Sequence, residues 1–122
     1  MEKIVTSNAP AAIGPYSQGM IVGNFVFTSG QIPVDPATGH IPEGITAQAE
    51  QSCRNVAAVL AAAGSSPEKV IKTTCFLADI GDFAAFNEVY ARHFPNAPAR
   101  SCVAVRELPK QVLCEIEAIA ER

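Results

Sequence analysis

Charge is scarce in this chain. Of its 122 residues, 17% are Asp, Glu, Lys or Arg, the balance is -3, and the basic residues form no cluster. A positive stripe is what neutralises phosphates, so the sequence offers no electrostatic footprint for nucleic acid. No apolar run approaches the roughly 20 residues of a membrane-spanning helix. The start lacks a basic segment followed by an apolar stretch, since Glu2 and Lys3 lead straight into Ile4 and Val5. A cytoplasmic chain is the expectation. Its two histidines, His40 and His93, are far apart and have no ligand spacing around them, which argues against a metal site. Cys53, Cys75, Cys102 and Cys114 show no CxxC pairing and fall inside helix or strand patterns. They read as free, mostly buried thiols of a reducing compartment. Repeats, linkers and low-complexity stretches are missing too. The length suffices for one compact domain and not for two, so residues 1–122 are expected to form one domain.

What the sequence does have is apolar material, 48% of its residues, enough for a core and for surface that other subunits would cover. Short strands are predicted near residues 2–6, 20–22 and 25–31. Gly23 and Asn24 form a two-residue hairpin signal between the second and third. Ala49, Cys53, Val56, Ala57 and Leu60 recur at helical spacing over 46–63, with Gly64 at the C-terminal end. Residues 70–78 read as a strand, parallel to the one before the helix. Asp82 can cap a second helix over 83–93, whose Phe83, Phe86, Tyr90 and Phe94 form a stripe expected to pack in the core. Pro95 and Pro98 stop it. The order is βββαβαββ, an α+β architecture with two helices on one face of a mixed sheet.

One residue resists this pattern. Arg100 is set in an otherwise uncharged strand run, Ala99 to Val105, and a last strand run carries Glu115 and Glu117. A short connection at Leu108 and Pro109 predicts that these two runs pair as an antiparallel hairpin. With Val103 and Val105 facing the core, Arg100 falls opposite Glu117 and Cys102 opposite Glu115, on the face away from the helices. Either this is a cross-strand ion pair, or a fixed cationic fork lies beside carboxylates, as a small anionic ligand and a proton-handling group would require. Cys102 as a nucleophile would need a base, and no histidine is near it in sequence. A face carrying Arg100, Leu113, Glu115 and Ile119 is expected to pack against another copy, and a ligand site there would draw walls from two subunits.

The stretches Gly14-Pro15-Tyr16-Ser17-Gln18, Thr28-Ser29-Gly30-Gln31, Pro98-Ala99-Arg100-Ser101-Cys102-Val103, Leu108-Pro109 and Glu115-Ile116-Glu117-Ala118 resemble the signature of the reactive intermediate deaminase (RidA) family, from end to end of the chain. The resemblance implies a homotrimer of chorismate-mutase-like subunits with a site in each cleft between neighbours. It implies hydrolysis of 2-imino acids and their enamine tautomers to 2-keto acids and ammonia, without a cofactor, downstream of pyridoxal-phosphate-dependent dehydratases. By the same resemblance Arg100 would hold the substrate carboxylate and Glu115 would handle the proton of the attacking water. Backbone groups at Cys102 would complete the contacts, its thiol a spectator, and Tyr16, Ser29, Gly30 and Asn87 would supply other walls. Each of these four has a plainer reading as interface aromatic, strand end or solvated helix position. Glu117 reads as a structural partner. The connection over 93–98 is shorter than in many such deaminases, which would alter the pocket rim, and Cys114 stands where an aliphatic residue is usual. The family also has members without demonstrated deamination, which suggests a non-catalytic trimer binding small carboxylates. Others carry an endoribonuclease or translation-inhibitor label, against which the acidic balance speaks.

Overall fold

Strands form where apolar residues alternate and helices where they recur every third or fourth position. A computed structural model describing residues 1–122 shows this throughout the chain. In order, the elements are β1 (Glu2–Ile4), β2 (Gly19–Val22), β3 (Phe25–Thr28), α1 (Ile45–Ala62), β4 (Val70–Leu77), α2 (Phe83–His93), β5 (Ala99–Ala104) and β6 (Cys114–Glu121). They build one six-stranded mixed sheet in the order β1-β2-β3-β6-β4-β5. The βββαβαββ, α+β expectation holds.

Gly23, with φ of 57°, and Asn24 turn β2 into β3, pairing Val22 with Phe25. β6 is antiparallel to both β3 and β4, so those two run parallel with β6 between them. The predicted hairpin of β5 and β6 does not form. β5 pairs in parallel with β4 at the sheet edge, and β4 separates it from β6. The crossover through α2 returns the chain beside β4 and leaves the other edge of β5 unpaired, while β6 pairs on the far side of β4. The segment 105–113 then crosses to the far side of β4 through a turn in which Lys110 and Gln111 take positive φ of 56° and 55°.

Both helices pack on one face. Ala49, Cys53, Val56 and Leu60 of α1 meet Ile116, Ala118 and Ala120 of β6, all buried. α1 ends in a Schellman motif. Gly64, with φ of 79°, donates to the Ala61 carbonyl and Ser65 to the Leu60 carbonyl. Asp82 does not cap α2 through its side chain. A short 3-10 turn over Ile80–Asp82 precedes the helix, and there Asp79 accepts from the Gly81 N–H at 2.8 Å. Phe86, Tyr90 and Phe94 enter the core as expected, but Phe83 stays 38% exposed. The opposite sheet face is open and apolar. Val22, Phe25, Phe27 and Val103 are each more than 40% exposed there.

Candidate active site

Two clusters of side chains, on opposite faces of the sheet, hold the residues singled out in the sequence. The first surrounds Arg100. On β5, Arg100 and Cys102 are half-buried while Ala99, Ser101 and Val103 are exposed. Arg100 is in register with Thr73 and Cys102 with Cys75, both fully buried, so this pair of side chains faces the helices. The expectation was the reverse, with the valines inward. β5 is an edge strand, and the small Cys102 packs against the core while the Arg100 guanidinium reaches the Phe83 and Tyr90 rings of α2.

The guanidinium carbon sits 5.4 Å from the Phe83 ring centre and 4.8 Å from that of Tyr90, an arrangement that attracts a cation. One guanidinium nitrogen donates to Asn87 Oδ1 at 2.8 Å. Phe83, Asn87 and Tyr90 share one side of α2 because they fall at i, i+4 and i+7. Asn87 is therefore no solvated bystander. No carboxylate comes within ion-pair distance of Arg100. The basic side chains within such distance of a carboxylate are Arg54 and His93, both on Glu50. The cross-strand pair with Glu117 is thus ruled out within one chain, and most of the guanidinium donors stay free.

The second cluster lies on the open face. Tyr16, Ser29, Gly30, Ile32, Pro109, Glu115 and Glu117 line an open cleft of about 450 Å³. It sits where the β3–β6 ladder breaks. There Thr28 Oγ1 accepts from the Ala118 N–H at 3.0 Å, and pairing resumes at Gln31 with Ile116. The break makes room for the Glu115 side chain, and Gly30 completes that room. A Cβ on residue 30 would stand 1.9 Å from Glu115 Oε2. Ser29 is held by its hydroxyl donating to the Ser17 carbonyl and its N–H donating to the Gln18 carbonyl. Gln18 in turn is buried, its amide donating to the carbonyls of Thr6, Ala9 and Pro10 and accepting from the Thr6 N–H. This staple, and the place of Phe83 beneath Arg100, escaped the sequence reading. Gln18 belongs to the Gly14-Pro15-Tyr16-Ser17-Gln18 stretch, but nothing local says where its amide points.

Burial, and secondarily the neighbouring Glu117, push the Glu115 carboxyl above its ordinary value of 4.5. Such a group holds its proton to higher pH than an ordinary carboxyl does. Burial also raises the Cys102 thiol, although Arg100 pulls the other way. No imidazole is at hand to activate it, since His93 Nε2 is engaged with Glu50 at 2.8 Å. Cys102 therefore lacks the environment of a nucleophile. No three His, Cys, Asp or Glu side chains converge in a way that could hold a metal ion, and no helix is long and apolar enough to cross a membrane.

The expected site residues thus fall into two groups. Arg100, Asn87 and Cys102 are together on the helix side. Tyr16, Ser29, Gly30 and Glu115 are together on the open side, and β4 stands between the strands that carry Arg100 and Glu115. One chain does not bring the two groups around one small molecule.

A six-stranded mixed sheet with both helices on one face, an open apolar face opposite, a guanidinium without a carboxylate partner on its edge and a half-buried carboxyl in its cleft define a small α+β protein. The chain belongs to the reactive intermediate deaminase family, whose profile, described as "Endoribonuclease L-PSP", matches residues 6–122. It is 54% identical over 123 residues to the 2-iminobutanoate/2-iminopropanoate deaminase of Escherichia coli K12, covering 98% of this chain and 96% of that one. It is 56% identical over 124 residues to a RutC family protein of Haemophilus influenzae, covering 98% and 95%. The crystal structure of E. coli TdcF with bound serine superposes with a TM-score of 0.96 at 52% identity, covering 100% of this chain and 99% of that one.

Proposed function

We propose that this protein hydrolyses 2-iminobutanoate and 2-iminopropanoate to the corresponding 2-keto acids and ammonia, in a site assembled between copies of the chain. The observation that carries this reading is Arg100, a half-buried guanidinium held by Asn87 and two rings yet left without a carboxylate. A permanently charged fork kept unpaired at such a place is matched by the carboxylate of a small acid. The deaminase name of the E. coli relative supplies the reaction class, and the serine held by E. coli TdcF is likewise a small molecule with a carboxylate.

In this reading the Arg100 fork takes the substrate carboxylate, with backbone groups at Cys102 beside it. Glu115, from the neighbouring copy, accepts a proton from water as its oxygen adds to the C=N carbon, and passes that proton to the imine nitrogen. The resulting carbinolamine gives its hydroxyl proton to the amine nitrogen, the C–N bond breaks to release ammonia, and the hydroxyl oxygen becomes the carbonyl. One water is consumed, and neither oxidation nor a cofactor enters. Tyr16, Ser29 and Gly30 wall the cleft. Imine hydrolysis is already fast in water, so holding the reactants in place suffices.

The separation of the two groups within one chain supports shared sites. If the β5 edge of one copy meets the open face of the next, Arg100 approaches Glu115 across the boundary, and Val22, Phe25, Phe27 and Val103 leave water. Such a head-to-tail contact forms a ring where its rotation closes, and closure after three copies gives the homotrimer implied by the resemblance. The imines would come from pyridoxal-phosphate-dependent dehydratases in the cytoplasm, where free thiols persist.

The test generates 2-iminobutanoate with a threonine dehydratase and follows its decay with and without this protein. Decay should accelerate with the parent chain and lose that acceleration with Arg100→Ala. No acceleration, with Arg100→Ala behaving like the parent, defeats the proposal and leaves a carboxylate-binding protein. A second reading, RNA cleavage, is favoured only by the description of the family profile. The net charge of -3 opposes it. RNA cleavage that persists through stringent purification and vanishes on a single substitution would revive it.

A further inference from the structure

We infer that Tyr90 is a positioning residue for the substrate carboxylate, acting through Arg100, and that its hydroxyl bond to Thr73 sets the direction of the guanidinium. The inference rests on the reading of Arg100 as the carboxylate anchor.

Arg100 stands on an edge strand with a long, torsionally free side chain, so something must decide where its fork points. Asn87 takes one nitrogen at 2.8 Å. The plane of the guanidinium is left to the rings, and the nearer is Tyr90 at 4.8 Å. That ring cannot tilt freely. It packs against Phe94 with centres 4.6 Å apart and against Phe86 at 5.9 Å. Its outer end is pinned by the bond between its hydroxyl and Thr73 Oγ1 at 2.6 Å.

Thr73 is fully buried and is the register partner of Arg100 on the adjacent strand. A closed circuit results. β4 holds Thr73, Thr73 holds Tyr90, Tyr90 supports the guanidinium, and strand pairing returns Arg100 to Thr73. Filling the core does not require this. A phenylalanine at 90 and a valine at 73 would occupy nearly the same volume without placing two hydroxyls in an apolar layer, where they are tolerated because they bond each other and Thr73 Oγ1 also accepts from the Cys75 thiol at 3.8 Å. Direction is what the hydroxyl pair adds. A tethered ring presents its face to the cation, and an untethered one does so for part of the time.

The experiment measures the Kd for 2-oxobutanoate, the rate of imine decay and Tm for Tyr90→Phe, Thr73→Val, the double variant, Thr73→Ser and Arg100→Ala. Each of Tyr90→Phe and Thr73→Val should weaken binding about threefold to tenfold, the effect of one ordinary hydrogen bond. The double variant should bind no worse than either single one, because the circuit is broken once. Its Tm should recover relative to the singles, since both polar partners are then gone. Thr73→Ser, which keeps the hydroxyl, should restore parent affinity.

If the pair is merely structural, Tm falls in the single variants while every Kd stays at the parent value, and the inference is overturned. Additive weakening in the double variant overturns it as well. Arg100→Ala separates this from the larger reading. Parent-like binding and rate in Arg100→Ala would overturn the anchor and this inference together. Loss of binding there, beside unaltered Kd in Tyr90→Phe and Thr73→Val, would remove Tyr90 alone. Should Tyr90→Phe fail to fold, the contrast of Thr73→Val with Thr73→Ser decides the same question.

Discussion

Replacing Gly30 by alanine perturbs the proposed chemistry at one atom. The backbone at Gly30 lies outside the left-handed region, so alanine is conformationally acceptable there. Its Cβ, however, would lie 1.9 Å from Glu115 Oε2, 2.9 Å from Cδ and 3.2 Å from Cγ. Unbonded heavy atoms settle near 3.5–4.0 Å, so the carboxyl must withdraw by about 1.5 Å or more. It is the free end of a flexible side chain facing an open cleft, and the withdrawal is cheap for the fold. Losing the backbone freedom of glycine in the unfolded chain stabilises by about 0.4–1 kcal/mol, so Tm should hold or rise slightly. Catalysis should not hold. A displacement of about 1 Å in a reacting group can cost on the order of 100-fold in rate. Gly30→Ala should therefore lose about two orders of magnitude in the coupled threonine dehydratase assay, with Tm maintained. Adding Glu115→Gln to Gly30→Ala should cost little more, because both remove the same positioned base. A Gly30→Ala protein that turns over imine at the parent rate would show that the position of the Glu115 carboxyl is irrelevant, and the assignment of that residue would fall.

Because burial raises Glu115, the acid limb of kcat/KM should lie above 4.5, and Glu117→Gln should move it down by removing the second cause. The same shift has a stability consequence. With the folded value raised above the unfolded one, the contribution of Glu115 is present below the unfolded value and is lost as pH rises through the folded value. Glu115→Gln should thus stabilise more in neutral than in acidic buffer, as read by urea unfolding. Arg100→Lys keeps the charge but loses the fork, and calorimetry should find 2-oxobutanoate bound about tenfold more weakly. Cys102→Ala should leave kcat unchanged in the coupled assay, as its thiol is pushed up by burial and has no base. Phe86→Ala empties a fully buried site and should lower unfolding free energy by about 3–5 kcal/mol in denaturant titration.

The sequence alone carried the identity of the elements. Period-two and helical recurrences are local, as is the glycine that lets a two-residue turn or a helix end adopt positive φ. So the β2–β3 hairpin, α1 with its Gly64 ending, and α2 over 83–93 could be read directly. Arg100 stood out for the same reason, since a charge inside an uncharged strand run needs no third dimension to be noticed. Which strand lies beside which was beyond local pattern. Leu108 and Pro109 looked like a hairpin, and only the return of the chain through α2 decided that β4 would separate β5 from β6. Nor could alternation say which half of β5 faces the helices, because Val103 and Val105 are as apolar as Cys102 and Ala104. An edge strand lets packing with α2 make that choice, and it turned Arg100 toward Phe83, Asn87 and Tyr90. Periodicity supplies the parity of a strand, and long-range packing assigns the two parities to core and solvent. That assignment put Arg100 and Glu115 on opposite faces of the sheet.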